Sequence, residues 1–281
     1  MINQFEKALI QIAIDEDAGD GDHTSLACIP EASIGKAKLL VKDQGILAGV
    51  EVAVEVFKII DPTLLIKVNL EDGIYIEPGD IVFTVEGSSR SILQAERLVL
   101  NFMQRMSGIA TQTGIYVKEL NGLKTKILDT RKTTPGLRYF EKSAVKIGGG
   151  TNHRIGLFDM IMLKDNHIDM AGGIENAIDQ VHLYLKNNKL NLPVEIETRS
   201  LDDVKRVLNH GGFDRIMLDN FSIEETIEAL EVIGGKVETE SSGGITLKNI
   251  RDYALCGVDF ISVGALTHQI QSLDMSLKVI V

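Results

Sequence analysis

From residue 124 onward, β-type runs alternate with helix-type runs, and this alternation constrains the fold more than any other feature of the chain. The runs KILDT (126–130), MIMLK (160–164), PVEIE (193–197), DRIMLD (214–219), KVETE (236–240) and DFISV (259–263) read as short strands. Between them lie amphipathic stretches such as GIENAIDQVHLYLKN (173–187), SLDDVKRVLNH (200–210) and SIEETIEALEVI (222–233). A helix between consecutive strands is the connection a parallel sheet requires. The last four strands recur about every 20–23 residues, the spacing of βα units in a barrel. Six strands rather than eight predict an open, incomplete (β/α) TIM-like barrel, with a long stretch over 131–160 that could hide further strands.

The first 108 residues have another texture. Phe5, Leu9, Ile12 and Ala13 share one helical face over 3–15. Residues 35–43 alternate as a strand does, and 49–60 reads as a helix stopped by Asp61-Pro62. Strands at 63–70 and 80–87 flank the turn Glu77-Pro78-Gly79-Asp80, and a strong helical pattern follows over 89–108. The expected organisation is therefore an α/β protein. An N-terminal mixed α+β domain covers 1–108 and a C-terminal barrel covers 109–268.

Composition excludes several function classes. The chain has 281 residues, a net charge of −11 and a pI near 5.1, which argues against general nucleic-acid binding. With no Trp and 5% aromatics, a base-stacking platform is not expected. No window approaches the ~18 consecutive apolar residues of a membrane span. The acid-bearing start MINQFEKALIQIAIDED does not read as a signal peptide. Cys28 and Cys256 are isolated, as in a reduced cytoplasmic chain without a zinc site. Charge is uneven, however: between Lys124 and His167 nine Lys and Arg face four Asp and Glu. A basic island in an acidic protein can focus small anions.

The residues at the strand ends carry the chemistry. They are Thr130-Arg131-Lys132, Lys164, Glu197, Asp219, Ser241-Ser242-Gly243-Gly244, and Ser262-Val263-Gly264. In (β/α) barrels the active site lies at that end, built from the βα loops. Polar residues at strand ends are ordinary where a chain leaves the core, but that explains one or two of these, not the whole ordered set. Arg131, Arg154 and Lys164 with His153 form a cationic group suited to carboxylates, and so to a substrate with more than one negative charge. Glu197 and Asp219 can do acid–base work, bind Mg2+, or accept ribose hydroxyl protons. The two glycine-bearing loops after the last strands, each ahead of a helical pattern, suit a phosphate. A Schiff-base role for Lys164 is the other chemistry open at this point, though neighbouring Asp165 would oppose the lowered lysine pKa it needs.

Three blocks, DTRKTTPGLR (129–138), EKSAVKIGGGTNHRIGL (141–157) and KDNHI (164–168), resemble the signature of the quinolinate phosphoribosyltransferase family. The similarity continues through QAERLVLNFMQRMSGIATQT (94–113), EIE (195–197), LDN (218–220), SSGGI (241–245) and SVGALTH (262–268), and so covers nearly the whole chain. The resemblance implies conversion of quinolinate and phosphoribosyl pyrophosphate to nicotinate mononucleotide, pyrophosphate and CO2 in NAD biosynthesis, with Mg2+. It further implies that the N-terminal α+β domain is a sandwich domain and that residues 269–281 pack on it. It implies that Arg131, His153, Arg154 and Lys164 bind quinolinate. Lys132, Glu197 and Asp219 would hold phosphoribosyl pyrophosphate, the two carboxylates reaching Mg2+ through substrate and water. Lys132, Lys164, Glu197 and Asp219 would be the catalytic set. Thr130, Ser241, Ser242, Gly243, Gly244, Ser262, Val263 and Gly264 would complete the substrate-binding loops. Arg97, by itself a helix-surface residue, would be delivered from the partner in a homodimer or a larger assembly built on it. VETESSGG (237–244) and Phe221 depart from the family's usual texture at no charged site position.

Overall fold

The computed structural model describes residues 2–280, and its chain divides into two compact units. The first holds the residues up to Gly114, Thr133–Gly149 and those from Leu266 onward; the second holds Ile115–Lys132 and Gly150–Ala265.

The first unit begins with α1 (Gln4–Ala18), whose start is closed by a reciprocal cap. The Glu6 amide donates to the Asn3 side chain at 2.9 Å, and the Asn3 amide donates to the Glu6 carboxylate at 2.7 Å. There follow α2 (His23–Cys28), β1 (Ile34–Val41), β2 (Gly45–Ile46), α3 (Val50–Ile60), β3 (Leu65–Val68), β4 (Tyr75–Ile76), β5 (Ile81–Ser88) and α4 (Ser89–Glu119). β1 and β3 both pair antiparallel with β5. Alternation along β1 buries Ala37, Leu39 and Val41. On α3, Phe57 meets Phe83 of β5 edge to face, with ring centroids 5.7 Å apart. The helical pattern of 89–108 does not stop at Gly108. The helix runs on to Glu119 because Gly108 is there for close packing: a Cβ would strike the Gln271 carbonyl.

The chain continues through β6 (Lys126–Leu128), α5 (Arg138–Ile147), β7 (Ile161–Leu163), α6 (Asp165–Met170), α7 (Ile174–Asn188), β8 (Val194–Thr198), α8 (Leu201–His210) and β9 (Arg215–Asp219). It ends with α9 (Ile223–Ile233), β10 (Glu238–Ser242), α10 (Ile250–Leu255), β11 (Phe260–Ser262), α11 (Ala265–His268) and β12 (Met275–Val279). β12 pairs with β1, completing the four-stranded order β12-β1-β5-β3 in the first unit. In the second unit all six strands expected from the alternation form one parallel sheet, ordered β6-β11-β10-β9-β8-β7. β6 and β7 are its two edges, so the barrel is open. The 131–160 stretch holds α5 and a single bridge from Thr151 to Leu128.

One side of this sheet is apolar. Leu163, Ile196, Ile216 and Leu218 pack against Ala177 and Ile178 of α7, Val204 and Val207 of α8, and Ala229 and Ile233 of α9. Each fully buried aliphatic side chain contributes about 1.5–3 kcal/mol. β10 lies two residues later than its pattern suggested, over Glu238–Ser242 rather than 236–240. Asp259 fixes that position by accepting the Thr239 amide at 2.9 Å and its hydroxyl at 2.8 Å. A slip of two keeps the faces of the strand unchanged.

Candidate functional site

Because strand side chains alternate, the residues between the apolar ones face the other side of the parallel sheet. On β8 these are Glu195 and Glu197, on β9 Arg215, Met217 and Asp219, and on β10 Glu238, Glu240 and Ser242. The ladder places Glu195 beside Arg215, Glu197 beside Met217, and Ser242 beside Asp219. A cavity of about 700 Å³ opens among the C-terminal ends of these strands. Its lining includes Thr130, Arg131, Lys132, His153, Arg154, Lys164, Glu197, Asp219, Ser242, Gly243, Gly244 and Ser262. The strand ends named from the sequence thus meet in one place.

Four candidates stand apart. Arg97 is exposed on α4, in the first unit. Ser241 lies inside β10, fully buried, because alternation turns it away from the cavity. Val263 is buried, and its amide donates to the Leu128 carbonyl at 2.9 Å. Gly264 immediately precedes α11 and is not among the lining residues. The helix-start reading also changes at one loop. α10 begins only at Ile250, so the 242–244 loop itself faces the cavity, not a first helical turn. Gly243, at φ 93°, admits no other residue, since a Cβ there would strike the Asn220 side chain.

The charges in the cavity are mutually set. Lys164 Nζ donates to Glu197 Oε2 at 3.0 Å, a pair between a half-exposed lysine and a buried carboxylate. Burial raises the Asp219 carboxyl above its ordinary value, and the neighbouring Glu197 charge adds to this while Lys164 opposes it. The Arg154 guanidinium is buried, and burial followed by repulsion from Arg131 lowers its pKa. Arg154 Nη1 donates to the Met160 carbonyl at 3.1 Å.

His153 lines the cavity but is largely buried. Its Nε2 lies 2.9 Å from Glu195 Oε2 and 3.3 Å from Glu240 Oε2, and both carboxylates have no exposure to solvent. Arg215 Nη1 donates to Glu240 at 3.3 Å while its guanidinium covers the Phe260 ring at 4.0 Å. Burial favours a neutral imidazole, while the two carboxylates pull the His153 pKa upward. Geometry pulls the other way at Nδ1, which accepts the Arg154 amide at 2.7 Å and so needs its lone pair there. A backbone amide can only donate, so Nδ1 keeps its lone pair and the ring carries a single proton, on Nε2. A further proton of the cluster belongs on Glu195, which burial and the Glu240 charge push up to about 7. Glu240 stays below its ordinary value: burial opposes this, but bonds from His153 and Ser262 prevail.

Asp129 holds the same segment from the other side. It is fully buried and accepts the His153 amide at 2.8 Å and the Asn152 side chain at 2.6 Å. Asn220 also lines the cavity; it is left-handed at φ 58°, a conformation asparagine tolerates, and its side chain donates to Asp219 Oδ2 at 2.8 Å. Glu195, Glu240, Arg215, Asp129 and Asn220 were not singled out from the sequence. The signal for Glu195 was available, since glutamates alternate with apolar residues in VEIET; for Glu240 it was not, because the other face of ETESS offers only Thr239 and Ser241.

Comparison with known proteins agrees with this geometry. The family model for the quinolinate phosphoribosyl transferase C-terminal domain matches residues 109–278, and that for the N-terminal domain matches residues 22–107. The chain is 47% identical over 288 residues to the chloroplastic nicotinate-nucleotide pyrophosphorylase [carboxylating] of Arabidopsis thaliana, covering 97% of this chain and 82% of the relative. It is 40% identical over 273 residues to the probable nicotinate-nucleotide pyrophosphorylase [carboxylating] of Bacillus subtilis (strain 168), covering 97% and 93%. Among solved structures, NadC from Streptococcus pyogenes superposes with a TM-score of 0.91 at 39% identity, covering 98% of this chain and 96% of that one. The nicotinate-nucleotide pyrophosphorylase of Ehrlichia chaffeensis gives 0.92 at 35% identity, covering 100% of both.

Proposed function

The chain belongs to the quinolinate phosphoribosyltransferase family, and from that premise we propose that it transfers phosphoribosyl from phosphoribosyl pyrophosphate to quinolinate with decarboxylation, giving nicotinate mononucleotide, pyrophosphate and CO2 in NAD biosynthesis. One observation carries the reading: cations, paired carboxylates and a glycine-rich loop converge on a single cavity. A dicarboxylate, a ribose and a phosphate each find the matching group there.

Arg131, Arg154 and Lys164 hold the two ring carboxylates, by charge-assisted hydrogen bonds worth about 1.5–3 kcal/mol each. His153 belongs to the same quinolinate set. Lys132 and Thr130, at the end of β6, face the pyrophosphate. Ser242, Gly243, Gly244 and Ser262 receive the 5′-phosphate, with Ser241, Val263 and Gly264 shaping those loops from within. The pyridine nitrogen attacks the ribose anomeric carbon as the bond to pyrophosphate breaks. Glu197 and Asp219, beside the ribose, stabilise the positive charge that develops there. The carboxylate next to the new pyridinium then leaves as CO2. Its bonding electrons pass to the ring, and a proton replaces it. The chain acts by positioning and charge, with no covalent intermediate on Lys164.

Glu197 and Asp219 also suit a Mg2+ ion reached through substrate and water. Burial and, after it, the neighbouring Glu197 charge raise Asp219, and a cation would relieve both. When bound, Mg2+ supplies charge neutralisation to the pyrophosphate leaving group. The family resemblance further supports a homodimer in which Arg97 acts across subunits, and the bacterial relative supports a cytoplasmic enzyme. No helix among the described residues is long and apolar enough to cross a membrane.

The test is a single assay with phosphoribosyl pyrophosphate, Mg2+ and either quinolinate or nicotinate. Nicotinate mononucleotide and CO2 are expected from quinolinate alone. No product from either acceptor, with ligand binding retained, would overturn the reading. For the dimer, inactive Arg97→Ala mixed with inactive Lys164→Ala should regain part of the activity; no recovery after demonstrated subunit exchange would remove Arg97 from the site.

A further inference from the structure

Two carboxylates with no solvent exposure, on β8 and β10 with β9 between them, are an expensive feature for a barrel interior to keep. Apolar residues of similar size would serve the fold as well or better. Glu195 and Glu240 converge on one atom, Nε2 of His153, at 2.9 and 3.3 Å. The other ring nitrogen accepts the backbone amide of Arg154 at 2.7 Å. The imidazole is thus clamped at both ends, with its proton on Nε2 and its lone pair on Nδ1.

The segment that carries His153 lies outside any helix or named strand, joined to the sheet by the Thr151–Leu128 bridge and by Asp129. Beyond it, Asp159 closes a separate turn by accepting the amides of Ile155 and Gly156 at 2.7 and 2.9 Å. The Arg154 amide is the first backbone group past those anchors, and the His153 ring is what holds it.

We propose that Glu195 and Glu240 are positioning residues: they lock the tautomer and orientation of His153, and the locked ring fixes the backbone of Arg154 so that its guanidinium is aimed at a carboxylate of the acceptor. Glu195 is not among the residues lining the cavity, and Glu240, at its base, has no solvent-exposed surface and is turned to His153. The imidazole and two carboxylates could also be read as a metal site, since their ligand atoms lie within 4.8 Å of one another. The Arg154 amide argues against that, because with the lone pair on Nδ1 engaged, Nε2 holds the ring proton and has no lone pair for a metal. Fixing a histidine's working tautomer through a hydrogen bond to its other nitrogen is a common device, and here it runs from the sheet outward to the binding loop.

The consequence is selective. A loosened Arg154 harms recognition of the aromatic acid and leaves the phosphoribosyl donor alone. This rests on Arg154 serving the acceptor, as proposed above, so wild-type turnover of quinolinate is measured first. Its absence would fail that reading, whereas the spectroscopic arm below judges the clamp regardless.

In Glu195→Leu and Glu240→Leu the KM for quinolinate should rise about 10–100-fold, the cost of a small misplacement of a binding group. The KM for phosphoribosyl pyrophosphate should stay within about threefold of wild type. Glu195→Gln and Glu240→Gln can still accept the Nε2 proton and should largely rescue quinolinate use. Folded leucine variants with wild-type KM for quinolinate would overturn the proposal, as would equal rises for both substrates. The wild-type protein gives a second test, independent of the glutamate variants. The 15N signals of His153, assigned by their loss in His153→Gln, should show a protonated Nε2 and an unprotonated Nδ1 at neutral pH. A ring protonated on Nδ1 would refute the clamp.

Discussion

In the antiparallel sheet, β1 turns Ala37, Leu39 and Val41 inward and leaves Lys36 and Lys38 on its more open face. In the parallel sheet, β8 turns Ile196 toward the helices and Glu195 and Glu197 the other way, yet all five of its residues are buried. The first sheet follows the ordinary rule of apolar inside and polar outside. The second encloses charge on purpose-built partners: Glu195 and Glu240 around His153, Arg215 against Glu240, Lys164 against Glu197. Burying an ionised group costs several kcal/mol unless it is paired. A sheet that accepts this on one whole face does so for chemistry, and the first sheet shows what a face looks like when only stability is at stake.

Substitutions in the two sheets should therefore fail in opposite ways. Phe83→Ala removes a fully buried ring from the first sheet and should cost about 3–5 kcal/mol. Denaturant unfolding reads that loss, while kinetics per folded molecule stay unchanged. Lys164→Ala should lower turnover of quinolinate by about 100–1000-fold, while the chain stays folded and loses only the stability tied to Glu197's missing partner. If Phe83→Ala altered substrate KM instead, or Lys164→Ala unfolded the chain, the division of labour between the sheets would fail.

Smaller effects belong to the outer helices. Ser222 caps α9 through the Glu225 amide at 3.1 Å, and Glu225 returns a bond to the Ser222 amide at 2.8 Å. Ser222→Ala should cost about 0.5–2 kcal/mol in thermal unfolding, with activity intact. The smallest effect is expected at Glu175, whose carboxylate Arg206 grips at 2.7 and 3.0 Å on an exposed surface. That hydrogen bonding holds Glu175 down to about 2. A depressed carboxyl contributes stability above its unfolded value, and the contribution fades as pH falls from there toward 2. The Tm difference between wild type and Glu175→Gln should accordingly be present at neutral pH, weaken with salt, and close in acid. A difference that persisted unchanged at pH 2 would show that the pair is not its source.

Much of this was legible along the chain. The six parallel strands follow from strand–helix alternation, since period-2 and period-3.6 patterns are local properties. The strand-end cations, carboxylates and glycines were readable too, because a barrel collects those ends at one mouth whatever the details of packing. The extension of α4 past Gly108 was not, because its reason is the carbonyl of Gln271, far along the sequence. Nor was the place of Ser241, where two residues of strand position decide between a loop and a buried face. His153 was readable as a site residue, but its partners Glu195 and Glu240 lie 42 and 87 positions further along the chain.

The sequence by itself determined the elements, their parallel order of assembly and the kinds of charge at the strand ends, because each depends on neighbours within a few residues. Only the tertiary structure decided which charges are enclosed and which partner each one has. Sheet order brings β8, β9 and β10 side by side, and alternation there sets buried glutamates against histidine and arginine. The energy of such a contact depends on distance and burial, and neither is a property of any one stretch of chain.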